Sequence, residues 1–266
     1  MQYMRCIIQS RTSPQHAMKS AFRSKPPHYP QSWSELPGGE ELKLVIEQVC
    51  NELSQRVFGY HMVKMGNLSS EISLPDCSIR HQIQQTQVAS AHSGIITRSD
   101  NLPYVENSID GVLLANELDF AQDPHEILRE VDRVITANGY VIISGFNPFS
   151  LTGMARFLPI KRGNVLHSAR FFSAGRIKDW LQLLGFEVVE HRHILFSVLF
   201  AQQAAKQPAA WQQWCSRHCP WCSSVYVLLA RKRTIPMTTI KAKWKVKPRF
   251  SAVGASMRDA ASRTRS

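Results

Sequence analysis

No apolar run in this chain approaches the roughly 20 residues that a membrane-spanning helix needs. The longest, Ile194 to Ala201, is less than half of that. The opening MQYMRCIIQSRTSPQ is interrupted by Arg, Gln and Ser, so it lacks the apolar core of a secretory signal. Six cysteines follow no regular spacing in a chain large enough to bury a core, which argues against a disulfide scaffold and for reduced thiols. His61, His81, His92, His125, His167, His191 and His193 show no metal-ligand spacing, and no metal is expected. Together these absences predict a soluble, cytoplasmic protein without a transmembrane segment.

Acids are scarce at both ends. Residues 1–34 hold five Lys/Arg and no acid, and residues 231–266 hold eleven Lys/Arg against Asp259. The net charge of +12 therefore belongs to the ends, while the part between them is slightly acidic. The first segment, rich in Ser, Gln and Pro, reads as a disordered basic arm over 1–39, closed by Pro37-Gly38-Gly39. The last reads as a disordered basic tail over 234–266. It contains KAKWKVKPRF, in which Lys241, Lys243, Lys245 and Lys247 alternate around Trp244, a pattern suited to non-specific contact with nucleic acid or an anionic surface.

Between the ends, residues 40–233 carry the signals of one α/β domain. The plainest lie between Asn101 and Ser150. Ile109 to Ala115 is a short apolar run of strand length. Asp123 is a helix cap with Pro124 at the first helical position and Glu126 three residues on, a capping-box pattern. Ile127, Leu128, Val131, Val134 and Ile135 form one apolar stripe. Asn138-Gly139 is expected to stop that helix, with Gly139 left-handed, before a second buried strand from Tyr140 to Ser144. A strand, a helix and a strand of this kind imply a parallel pair joined by a right-handed crossover.

The remaining elements follow the same logic. Glu40 to Val57 is a packing helix with Leu42, Val45, Ile46, Val49, Leu53 and Val57 at helical spacing. Strands are expected at His61 to Gly66, near Ser78 to Gln85, and at Gly94 to Thr97. A short helix is expected from Ser150 to Leu158, and Ser173 caps another through Leu184, stopped by Gly185. Phe186 to Glu190 and Val225 to Arg231 read as the last strands. His191 to Ser224 between them is an insertion with three of the six tryptophans. It also holds Cys215, Cys219 and Cys222 around His218, a spacing that counts as four zinc ligands. Beside Trp214 and Trp221, before a last sheet strand, these read as buried or incidental thiols.

The runs LPYVENSIDGVLLANELDF and DPHEILREVDRVITANGYVIISGFNP resemble the second half of class I S-adenosylmethionine-dependent methyltransferase domains, of methyltransferase type 11. KMGNLS from Lys64, GFNP from Gly145 and ARKRTIP from Ala230 are similar, more closely, to the YafS-like proteins. The resemblance spans about residues 58 to 236. It implies a doubly wound, seven-stranded mixed sheet with a Rossmann-like fold, whose last two strands form an antiparallel edge and whose last is inserted beside the fifth. The implied cofactor is S-adenosyl-L-methionine, with an unidentified methyl acceptor as partner.

Parallel sheets bind ligands beyond the carboxyl ends of their strands at the switch point. That rule places Gly66 and Asn67, Asn101 and Leu102, and Ala115 and Asn116 around one cleft as the cofactor-binding candidates. Asn101 and Leu102 are expected to flank the adenine and Ala115 and Asn116 to lie beneath the sulfonium. Asn147, in the loop after the fifth strand, is the catalytic, acceptor-side candidate, although Asn147-Pro148 also reads as a turn former. Two departures from the resembled pattern stand out. The first turn has one glycine where two or three are usual, and the Cβ atoms of Leu68 and Ser69 are expected to crowd the approach path. The second strand ends without the acid that would accept from ribose, leaving Gln84 or Gln85 in its place. These departures keep open a second reading, a catalytically inactive methyltransferase-like module that binds a protein or RNA partner.

Overall fold

A computed structural model describes residues 28–89, 93–150, 153, 165–194 and 223–234. Within them the strands are β1 (His61–Met65), β2 (His81–Thr86), β3 (Ile95–Ile96), β4 (Ile109–Ala115), β5 (Ile135–Phe146), β6 (Phe186–Ile194) and β7 (Val225–Lys232). They form a single seven-stranded sheet in the order β3-β2-β1-β4-β5-β7-β6. Its first five strands run parallel, and β7 is antiparallel to both β5 and β6. Tyr140 to Ser144 pairs in parallel with Gly111 to Ala115, the arrangement a right-handed crossover requires.

Alternate side chains of the central strands go to opposite faces, and each face has its own core. Met62, Leu113, Ala115, Ile142 and Val227 pack under helix α1 (Gly39–Ser54), which buries Leu42, Ile46, Cys50 and Leu53. Val63, Met65, Val112, Leu114, Val141, Ile143 and Leu228 face the other way. There they meet Ile127, Leu128, Val131 and Val134 of helix α4 (Pro124–Val134), and Ile177 and Leu181 of helix α5 (Ala174–Leu183). Helices on both faces are what a buried parallel sheet demands, because neither face is left for water. None of the helices among the described residues is long and apolar enough to cross a membrane.

The caps behave as their residues predict. Asp123 accepts from the backbone N–H groups of His125 and Glu126, with Pro124 at the start of α4. Ser173 accepts from Arg176 N–H at the start of α5, and Gly185, with φ +85°, ends it. The stop of α4 differs from expectation. The helix ends at Val134 and Ile135 is already strand, so Ile135 pairs with Ile109 rather than extending the helical stripe. The ladder slips before Tyr140, and the left-handed residue in the excursion is Asn138, with φ +67°, not Gly139. Gly139 instead has no room for a side chain, since a Cβ there would lie 2.6 Å from Ile135 Cγ1.

The N-terminal boundary also moves. Residues 28–38 are not part of a free arm: Trp33 is fully buried under α1 and donates its indole N–H to Leu68 O at 2.8 Å. Ser32 caps the short turn Trp33–Glu35, and Gly39 fits against Trp33 O, where a Cβ would clash at 1.7 Å. A pair of aromatics four residues apart supplied enough apolar surface to order a segment that its prolines and charge assigned to solvent. The helix expected at Ser150 to Leu158, the cysteines of the insertion and the basic tail lie outside the described residues, apart from Ser150 and Gly153.

Candidate functional site

A cavity of about 250 Å³ is walled by Tyr29, by Gln87 after β2, by Arg98, Ser99 and Asp100 after β3, and by Phe120, Ala121, Gln122, Asp123 and Ile127 from the segment after β4. It lies where the strand order reverses between β1 and β4, the place a ligand takes in an open parallel sheet.

Gly66 ends β1 with φ +92° and ψ 162°, a conformation that a residue with a Cβ rarely adopts. A Cβ there would lie 1.9 Å from Glu117 Oε2 and 2.4 Å from the Tyr29 hydroxyl. After it the chain forms one helical turn, α2 (Asn67–Ser70), whose side chains all point inward. Leu68 is in the core, and Ser69 Oγ accepts from Ala115 N–H at 2.8 Å. Both side chains are therefore turned into the fold. Asn67 is nearly buried, and its Oδ1 accepts from Gln87 N–H at 3.1 Å, tying the β1 turn to the end of β2. Lys64 is buried one turn earlier and donates to Ile72 O at 2.7 Å; burial pulls its pKa below the ordinary lysine range.

At the end of β2, Gln84 and Gln85 do not face the cavity wall. Gln85 is fully buried and donates to Thr97 O at 3.1 Å, bridging to the end of β3. Gln87 takes the wall position instead, donating to Ser99 Oγ and to Glu117 Oε1, each at 3.3 Å. Past β3, the loop brings Ser99 and Asp100 to the cavity, two residues before the expected pair. Asp100 is ion-paired to Arg98, whose guanidinium holds its carboxyl below the usual range. Asn101 is exposed. Leu102 is in the core, its N–H bonded to Glu130 Oε2 and its O to Arg133 Nη2, so α4 clamps this loop by its backbone. Glu130 and Arg133 are themselves ion-paired at 2.8 Å.

At the carboxyl end of β4, Ala115 and Asn116 are both fully buried. Asn116 is left-handed at φ +53°, and its amide is spent: Oδ1 accepts from Ser144 Oγ and Nδ2 donates to Asp119 Oδ2. The following turn, α3 (Glu117–Phe120), supplies two buried carboxyls. Asp119 accepts from Phe146 N–H at 3.0 Å, yet desolvation pushes its pKa well above the ordinary carboxyl range. Glu117 is equally displaced upward by burial; its Oε1 accepts from Ser99 Oγ at 2.5 Å. Its Oε2 has no hydrogen-bond partner among the described residues, and neither has the Tyr29 hydroxyl.

Asn147, the acceptor-side candidate, is buried after β5 and off the cavity wall. Its Oδ1 accepts from Phe149 N–H and its O from Ser150 Oγ, the geometry of a side-chain-closed turn. The glycine of the same motif is structural: a Cβ on Gly145 would lie 2.5 Å from the Tyr226 hydroxyl. Of the residues named from sequence, Gly66, Asn67, Ala115 and Asn116 sit at the carboxyl ends of β1 and β4, and neither they nor Asn101, Leu102 and Asn147 are among the residues that line the cavity. Tyr29, Gln87, Ser99 and Glu117 were missed, because spacing along the chain carries no signal for side chains that converge from four different turns. Among the described residues, no three His, Cys, Asp or Glu side chains gather as metal ligands.

Comparison with known proteins agrees with this architecture. Residues 71–143 match the family model described as a methyltransferase domain. The chain is 36% identical over 231 residues to the uncharacterized protein YafS of Escherichia coli (strain K12), covering 85% of this chain and 92% of that one. Among solved structures, the [4+2]-cyclase SpnF superposes with a TM-score of 0.50 at 17% identity, over 72% of this chain and 81% of that one. A SAM-dependent methyltransferase from Archaeoglobus fulgidus also reaches 0.50, at 13% identity, over 73% and 94%. At such identities the two structures speak to the fold, which is Rossmann-like. With most of both chains aligned to YafS and the seven-stranded sheet in place, the chain belongs to the YafS-like family of class I methyltransferase-domain proteins.

Proposed function

We propose that this protein is a cytoplasmic S-adenosylmethionine-dependent methyltransferase acting on an acceptor still to be identified. The observation that carries the reading is the Gly66 corner at the switch point: a backbone position free of a side chain, against which two buried oxygens without hydrogen-bond partners among the described residues converge, one of them from Tyr29 on the cavity wall. Buried polar atoms without partners are uncommon in folded proteins and concentrate where something else is meant to bind. The residues present suit the cofactor in kind. Ser99 and Asp100 offer polar groups to its hydroxyls, while Phe120 and Ile127 offer an apolar wall to a flat base. When bound, this cofactor supplies a methyl group already activated on a sulfonium. The protein's part is then to align an acceptor and exclude water, with α3 and the loop after β5 as the nearest acceptor-side elements.

A second reading keeps the fold without methyl transfer, as a module that binds a protein or RNA partner. It is favoured by the size of the cavity, which falls just under the roughly 300–1,000 Å³ of typical ligand pockets, and by Glu117 and Tyr29 standing against Gly66. Isothermal titration with S-adenosylmethionine and S-adenosylhomocysteine separates the two. Low-micromolar binding supports the enzyme, and absence of heat at high micromolar protein removes it. The basic tail, in either reading, adds non-specific affinity for polyanions. That contribution is tested by comparing the salt dependence of RNA and anionic-vesicle binding for the full chain and for one ending at Arg233.

A further inference from the structure

The residue that the methyltransferase reading leaves without a role is Glu117. Its carboxyl is fully enclosed, yet only one oxygen is engaged: Oε1 takes the Ser99 hydroxyl and the Gln87 amide. Oε2 points the other way, to the bare Cα of Gly66, and has no partner among the described residues. The same corner receives the Tyr29 hydroxyl, also buried and without a partner. Tyr29 is not there by chance of a loose segment. The chain around it is fastened by the Trp33 indole on Leu68 O, within the α2 turn, and by the contact of the Tyr29 ring with Phe120 at 6.3 Å between centroids. A carboxyl oxygen and a hydroxyl thus converge on Gly66, a backbone position without a side chain. An unengaged buried carboxylate oxygen is costly unless a donor meets it. No lysine, arginine or histidine side chain lies on the cavity wall except Arg98, which is spent on Asp100.

Resting on the methyltransferase reading, we infer that Glu117, assisted by the Tyr29 hydroxyl, is the acidic anchor for the donor groups of the bound nucleoside, so that the turn after β4 supplies the carboxylate that the end of β2 lacks. The geometry gives this anchor a shape. Ser99 and Gln87 fix the carboxyl plane through Oε1, and Oε2 is left to accept one N–H or O–H beside Gly66. The donor is either a ribose hydroxyl or the ammonium of the amino-acid part, and both belong to the same ligand. The end of β2 is free to carry glutamines because its acidic function has moved to a neighbouring turn.

The test uses the full chain and two probes, S-adenosylhomocysteine and 5′-methylthioadenosine, which lacks the amino-acid part. Glu117→Met keeps the reach of the side chain and removes its acceptors. It is expected to weaken S-adenosylhomocysteine binding by about 10–100-fold, the worth of a charge-assisted hydrogen bond. Glu117→Gln, which can turn its amide oxygen to the ligand, is expected to fall between wild type and Met. Tyr29→Phe is expected to cost about 2–10-fold. Thermal midpoints of the ligand-free Met and Phe variants should equal or exceed that of wild type, because each removes a buried polar atom without a partner; a residue needed only for folding would lower them. Parallel loss of 5′-methylthioadenosine identifies the donor as ribose, and retention identifies it as the ammonium. Wild-type binding with no loss in Glu117→Met overturns the inference and leaves the enzyme reading standing. If Glu117→Met does not fold, unchanged binding in Tyr29→Phe and Glu117→Gln together overturns it. If wild type binds neither probe, the enzyme reading falls and the inference falls with it.

Discussion

The two halves of the sheet treat their polar groups in opposite ways. Around Asp110 at the amino end of β4 and along α4, polar side chains are engaged: Asp123 caps α4, Glu130 and Arg133 clamp the backbone of Leu102 and Tyr104, and Asp110 accepts from Tyr60, His61 and Thr136. Around Gly66 and the turn after β4, Tyr29, Gln85, Glu117 and Asp119 each bury an oxygen that has no hydrogen-bond partner among the described residues. The first half is built for stability and the second tolerates a cost, and such a local breach of polar satisfaction is expected where a ligand completes the structure.

The largest effect that bears on this contrast is predicted for the segment that closes the open half. Trp33→Ala removes a fully buried indole and its hydrogen bond, and should cost about 3–5 kcal/mol in urea denaturation. A loss under about 1 kcal/mol would return residues 28–38 to the status of a free arm. Gly66→Ala comes next. The substitution forces a strained backbone and a contact with Glu117, so stability should fall by about 1–3 kcal/mol and nucleoside binding should disappear in calorimetry; binding at wild-type strength would show that the ligand lies elsewhere.

The pH dependence follows from Glu117 and Asp119. Burial raises both folded pKa values above their ordinary 4.5 and 3.8. A raised folded pKa makes a contribution that is complete below the unfolded pKa and is lost as pH rises through the folded one. The ligand-free protein should therefore lose stability from acid toward neutral and alkaline pH through these two groups, and Glu117→Gln should flatten the slope in a thermal-shift series. Profiles of equal slope would show that Glu117 is ionised in the native state.

In the satisfied half the expected changes are smaller. Asp123→Ala should cost about 0.5–2 kcal/mol by loss of the α4 cap, and should leave nucleoside affinity within about twofold of wild type once stability is accounted for. Arg98→Ala is predicted to change stability least, by under about 1 kcal/mol, since the Arg98 side chain is 75% exposed in its pair with Asp100. It frees Asp100 at the cavity wall, so a change in nucleoside affinity without a change in thermal midpoint would assign that carboxylate to the ligand.

Much of this fold was legible from residues read in order. The apolar run at Ile109, the cap at Asp123 with Pro124, the stripe through Val134 and the stop at Gly185 are local signals, and each appears where its chemistry puts it. They are legible because a cap, a period or a turn involves residues within a few positions of one another. Local signals erred where two local rules competed. Ile135 fits the helical stripe of α4 and also the ladder opposite Ile109, and pairing in the sheet prevailed. The prolines and charges before Trp33 favour solvent, and the burial of one indole outweighed them.

The site was legible in part. The rule that strand ends at a switch point bind ligands is a statement about topology, and it points to the region of the cavity but not to the side chains that line it. What the sequence by itself determined is the order of elements, their caps and their apolar faces, because these depend on near neighbours and on the partition of side chains between water and core. Only the tertiary structure decided that Leu68 and Ser69 turn into the fold, that Asn116 and Asn147 spend their amides inside the fold, and that Tyr29 and Glu117, separated by most of a hundred residues, meet over Gly66. Those outcomes are set by distances between atoms from separate turns, which no pattern along a single chain encodes.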